Sequence, residues 1–140
     1  MKDDRLEMRK VFFEAWRKHK ENLLVEPIEA QLIAIMLLHP EYHEWLNQSL
    51  DYEIADFKEH NPFLHLSLHL ALREQLSTNR PEGITEIYAK LCKKFQDQHV
   101  AEHKMLACLE EILWDAQTSG KMPDEKVYLE KLWKELYSAR

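Results

Sequence analysis

The sequence predicts an all-α fold, a single-domain helical bundle of about five to six helices over residues 1–140, and three observations carry that reading. Glycine is nearly absent, at 2 residues in 140, so the turn chemistry that strand-rich folds rely on is missing. Apolar residues recur at three- and four-residue spacing along most of the chain, the period of a helix face turned to a core. The breaks in this pattern carry start and stop residues at Asn61-Pro62, Arg80-Pro81-Glu82-Gly83, Asp97 and Gly120, where helix caps belong.

A first helix is expected from about Asp4 to Asn22, with Met8, Val11, Phe12, Ala15 and Trp16 as its inner stripe. A second opens at Pro27 and turns Ile28, Leu32, Ile35 and Met36 inward. It must stop or bend at His39, because the residue before Pro40 is pushed out of helical backbone angles. Pro40 to Leu46 forms a short third piece, and Gln48 to His60 has no clear period and reads as a loop. From Pro62 to about Leu76 no formally charged residue precedes Arg73, and apolar residues lie on most sides, as in a helix central to its core. Ile84, Ile87, Tyr88, Leu91 and Phe95 stripe the next helix. Asp97 caps a long one that Gly120 ends, and Pro123 opens the last, with Val127, Leu129, Leu132, Trp133 and Leu136. Trp16, Trp114, Trp133 and Phe12 are expected in the core.

Composition excludes several functions. The net charge of −6, with basic residues interleaved among more numerous acids, argues against nucleic acid as a partner, since phosphate backbones are held by clustered Lys and Arg. Cys92 and Cys108 are the only cysteines and have no CxxC spacing, which fits a reducing compartment and no structural zinc ribbon. The apolar stretch from Leu32 to Leu38 is far too short to span a bilayer. The expectation is a cytoplasmic protein with no membrane partner; homo-oligomerisation is left open.

The eight histidines are the unusual feature. Six of them form three pairs at a spacing of four, His39/His43, His65/His69 and His99/His103. Random placement gives about 0.4 such pairs, and four is the spacing that stacks side chains on one helix face. Residues four apart are about 6 Å apart along the axis and about 40° apart around it, so two imidazoles converge on one ion. Imidazole suits Zn, Fe, Ni and Cu, and nothing favours a sulfur-rich site. His65/His69 and His99/His103 each follow a cap within two turns. With an antiparallel helix intervening, both pairs fall at one end of the bundle, where the second helix also delivers His39. The metal-ligand candidates are therefore His39, His43, His65, His69, His99 and His103, for one or two divalent ions, with Zn, Fe or Ni foremost. His19 and His60 read as ordinary exposed residues. The acids Asp51, Glu53, Asp56 and Glu59 of the loop are candidates for a further ligand or a lid, against the plainer expectation of a solvated surface loop.

His99-Val100-Ala101-Glu102-His103 also spells the H-x-x-E-H pattern of inverted zinc metallopeptidases. Those enzymes need a downstream carboxylate ligand and a larger α+β scaffold, neither of which is present here. The Glu-x-x-His signature of di-iron bundles is missing too. Glu110 lies about 10–16 Å along the helix from the histidines, too far for the same ion, and is expected to make a polar contact inside the bundle. No residue can be assigned a catalytic role.

Asn61-Pro62-Phe63-Leu64-His65, followed by His69, Glu74-Gln75 and Pro81, resembles a known family. The likeness continues through His99-Val100-Ala101-Glu102-His103, Leu113-Trp114-Asp115-Ala116-Gln117 and the run from His39 to His43, covering nearly the whole chain. The family is the small proteobacterial set called domain of unknown function 1841. The resemblance implies a bacterial protein whose recurring motifs include all three histidine pairs, and it supplies no activity. In arrangement alone, the layout is similar to small four-helix bundles that hold one metal with three histidines. The functional expectation is a His-rich site for metal-dependent catalysis, sensing or storage. The competing expectations are an interaction protein whose histidines form a polar core network, and a switch driven by imidazole protonation.

Overall fold

The computed structural model of the chain describes residues 4–47 and 62–138, with side chains from residue 9 onward. Among them are seven α-helices and one 3-10 turn, and no strand. The helices are α1 (Asp4–Lys20), α2 (Pro27–Leu37), α3 (His43–Leu46), α4 (Pro62–Thr78), α5 (Ile84–Phe95), α6 (Gln98–Ser119) and α7 (Glu125–Tyr137), and the 3-10 turn is Pro40–Tyr42. The all-α expectation holds, and the count exceeds five to six. Pro40 has no N–H with which to continue α2, so the chain takes the 3-10 turn and restarts as the separate four-residue α3. No described helix is long and apolar enough to cross a membrane. The chain divides into two compact units, Met1–Leu70 and Ala71–Arg140.

In the first unit the core is built from Phe12, Ala15 and Trp16 of α1, Leu32, Ile35 and Met36 of α2, Leu46 of α3, and Phe63 and Leu66 of α4. Phe63 sits tilted against Phe12 at 5.8 Å between ring centroids and edge-on to Trp45 at 4.6 Å, which anchors the start of α4 in this aromatic cluster. The turn after α1 passes through Asn22 at φ 58°, a left-handed position that Asn tolerates better than most residues. One inward residue of α2 differs from expectation: Ile28 is 45% exposed, whereas Glu29 is buried. The Glu29 carboxylate accepts from the Glu26 backbone N–H at 2.8 Å and from Lys18 of α1 at 3.0 Å. A charged group is buried readily when it is paired in this way, and the pairing turns Ile28 outward.

In the second unit α5, α6 and α7 pack on one another around Leu72, Ile84, Ile87, Leu91, Met105 and Leu132, all fully buried. The Asp97 carboxylate accepts from the backbone N–H groups of His99 and Val100 and caps α6. Gly120, at φ 73°, ends it. The last helix begins after Asp124, whose side chain accepts from the N–H groups of Lys126 and Val127, and not at Pro123. Three side chains expected inside this unit lie outside: Trp114 is 64% exposed, Val127 is at the surface, and Glu110 is exposed. The inner stripe of α6 runs through Met105, Leu109 and Ile112, and Trp114 lies about 200° around the helix from Ile112.

The Lys18–Glu29 contact generates a pH dependence. The backbone hydrogen bond from Glu26, then Lys18, holds the Glu29 carboxyl below its ordinary range. A depressed carboxyl stabilises the fold above its unfolded pKa, and that stability is lost as pH falls through the folded one. Thermal unfolding should therefore show Glu29→Gln less stable than wild type at pH 7, with the gap closing toward pH 3. An unchanged gap at both pH values would contradict the role assigned to the carboxylate.

Candidate metal centre

His39, His65 and His69 come together in the first unit, and the backbone explains how. At the end of α2 the Ile35 and Met36 carbonyls accept from the Leu38 and His39 backbone N–H groups at 3.0 Å, and each oxygen keeps a second lone pair. His39 turns back so that its Nδ1 lies 2.8 Å from the Ile35 carbonyl oxygen. A carbonyl only accepts, so Nδ1 carries the proton and donates. In the neutral ring, Nε2 then presents a lone pair. That Nε2 lies 3.0 Å from Nε2 of His65, and the same His65 nitrogen lies 3.2 Å from Nε2 of His69. His65 and His69 are one turn apart on α4, with ring centroids at 4.7 Å. His39 and His69 offer ring nitrogens within 4.8 Å of each other. Both of these residues are fully buried, and His65 is half-buried.

The protons follow from these distances. With the His39 Nε2 aprotic, only the His65 Nε2–H can link that pair. It then also faces the His69 Nε2. An aprotic ring nitrogen turned toward two neighbouring imidazoles is a donor arrangement that suits a cation. Two of the spacings fit as well. Nitrogens bound at about 2.0–2.1 Å to one ion lie about 2.8–3.4 Å apart, from octahedral to tetrahedral angles, and the observed 3.0 and 3.2 Å fall inside that interval.

His43 is not drawn into the trio. Its Nε2 donates to the Met36 carbonyl oxygen at 2.7 Å, and its ring lies against Trp16 at 4.6 Å between centroids. The break at Pro40 accounts for this, since the four-residue rule assumes one continuous helix. Between the two histidines lies Tyr42, which sequence reasoning missed. Its ring stacks on His39 at 5.4 Å with a 7° interplanar angle and meets His65 edge-on at 6.0 Å. Burial, then the charge of Glu41, pushes its phenol up, so the ring packs as neutral phenol. The sequence signal available was its place inside the His39–His43 run.

In the second unit His99 and His103 stand side by side on α6, with ring centroids at 4.1 Å and ring nitrogens within 4.8 Å. His99 is half-buried and His103 exposed. Glu102, between them in sequence, is buried and receives both Nε and an Nη of Arg73 at 3.2 Å. A general base of the H-x-x-E-H kind must keep its carboxylate for water, and this one is committed to a guanidinium. His19 is half-buried against Trp16 at 5.3 Å and is not the exposed residue expected. His60, the cap Asn61 and the acids Asp51, Glu53, Asp56 and Glu59 lie outside the described residues. An open cleft of about 420 Å³ in the second unit is lined mainly by side chains such as Leu109, Ile112, Met122 and Tyr128, with no histidine.

A family model described as a domain of unknown function (DUF1841) matches residues 4–134. No curated protein and no solved structure matches the chain.

The tautomers assigned by these hydrogen bonds are open to measurement. In metal-free protein above pH 7, long-range nitrogen–proton spectra should report His39 as the Nδ1–H form and His43 as the Nε2–H form. Finding His39 protonated at Nε2 would contradict the lone pair assigned there. The Arg73–Glu102 pair gives a second expectation. Arg73→Ala strands the buried carboxylate and should cost about 2–3 kcal/mol in denaturant unfolding, less than for a fully buried pair because Arg73 is partly exposed. A cost below about 0.5 kcal/mol would place it among surface ion pairs.

Proposed function

We propose a metal-binding role for this chain, which belongs to the DUF1841 family. The reading is that His39, His65 and His69 hold a divalent transition metal, with Zn, Fe or Ni foremost by the preference of imidazole donors. The observation that carries it is the pair of Nε2–Nε2 distances, 3.0 and 3.2 Å, among rings from two parts of the chain. The Ile35 carbonyl on the far nitrogen of His39 supports it further, because metal-bound imidazoles commonly donate their other N–H to such a group. His99 and His103 form a second chelating pair by spacing, so one or two ions per chain belong to this reading. The protein would act in a reducing cytoplasm, consistent with the free thiols of Cys92 and Cys108, in metal-dependent catalysis, sensing or storage.

Elemental analysis of untagged protein tests the reading, with one or two equivalents of metal expected per chain. His69→Ala should weaken metal binding by at least the roughly 10–100-fold that loss of an outer-shell partner costs, with helical circular dichroism largely retained. His43→Ala should leave metal content unchanged, and a His99→Ala/His103→Ala double variant reads whether the pair carries an ion. Protein that stays metal-free after incubation with each metal would sink the proposal in favour of a polar core network.

A further inference from the structure

We infer that Tyr42 is a positioning residue for the histidine trio, its ring setting the plane of His39 and its angle to His65; this rests on the metal reading above. His39 and His65 are 26 residues apart in sequence, yet their Nε2 atoms must be held at 3.0 Å. The hydrogen bond from His39 Nδ1 to the Ile35 carbonyl fixes one atom of the ring. Tilting about that bond would still swing Nε2 away from its partners. The Tyr42 ring, parallel to His39 within 7°, blocks that tilt on one face. Its contact with His65, edge-on at 78°, ties the second ring to the same wedge.

The wedge is itself fixed. Tyr42 closes the 3-10 turn that Pro40 starts, its backbone N–H donating to the His39 carbonyl oxygen at 2.9 Å. Its ring also packs edge-on to Trp45, at 6.4 Å between centroids, which belongs to the aromatic cluster around Phe63. The backbone that carries His39 therefore also carries the group that orients it, and the Pro40 break acquires a purpose that helix termination alone does not give it. The work assigned to Tyr42 is done by the ring plane and not by the hydroxyl, so a ring without a hydroxyl should replace it.

The test is Zn(II) affinity of the full chain, by competition with a chromogenic chelator, for wild type, Tyr42→Leu and Tyr42→Phe. Tyr42→Leu should bind Zn(II) about 10–100-fold more weakly, the usual cost of losing a group that orients a ligand. Tyr42→Phe should bind as wild type. The visible spectrum of the Co(II)-loaded protein should change in the Leu variant and not in the Phe variant, a signature that loss of stability alone would not produce. Tyr42→Trp, which keeps an aromatic plane, stands in if the Leu variant fails to fold, and should retain binding within about tenfold. Equal affinity in wild type and Tyr42→Leu overturns the positioning role and leaves the metal reading standing. Equal weakening in Leu and Phe also overturns it, by assigning the effect to the hydroxyl. A wild-type chain that takes up no Zn(II) overturns both.

Discussion

The hydrogen bond from His39 Nδ1 to the Ile35 carbonyl is the interaction on which the rest of the site depends. It forms where α2 ends. Pro40 forbids continuation, and the Leu38 and His39 backbone N–H groups close the last turn on the Ile35 and Met36 carbonyls at 3.0 Å. Each oxygen keeps a second lone pair, which takes a ring N–H from His39 at Ile35 and from His43 at Met36. For His43 the consequence is local, since its Nε2 is consumed and its ring settles on Trp16. For His39 the consequence is chemical. Donating to the carbonyl through Nδ1 leaves Nε2 of the fully buried His39 as an acceptor, pointed at the half-buried His65. A capping contact that looks structural thus sets the tautomer a metal needs.

The two buried carboxylates among the described residues are paired in the same way. Glu29 is buried with Lys18 and the Glu26 amide, and Glu102 with Arg73. Each carboxylate has a cation beside it, the condition under which burial of a charge is tolerated. Pairing Glu102 also settles what the H-x-x-E-H run is in this fold. Spacing alone matches a peptidase motif, but the carboxylate at its centre belongs to a guanidinium. A sequence pattern specifies which residues share a helix face, and the partner each side chain finds comes from the elements packed against it.

That distinction explains how much was legible in the sequence. Helical spacing and caps are local properties, so the caps at Asp97 and Gly120 and the stop before Pro40 could be read directly. So could His65/His69, because α4 is continuous through both. The pairing of His39 with His43 could not, since the four-residue rule fails across the 3-10 turn. Tyr42 was missed because stacking on a ring from another element leaves no period. Trp114, expected inside with the Trp and Phe stripes, sits at an angle on α6 that turns it to solvent. The burial of Glu29 required knowledge of which side of α2 faces Lys18.

The central claim is that neutral imidazole nitrogens, and no thiolate, hold a metal in this chain. X-ray absorption at the metal edge of untagged full-length protein tests it most directly. The account predicts a shell of nitrogen at about 2.0–2.1 Å, with the outer-ring scattering of at least three imidazoles. A sulfur shell at about 2.3 Å, which would implicate Cys92 or Cys108, or a shell of oxygen alone, would contradict it.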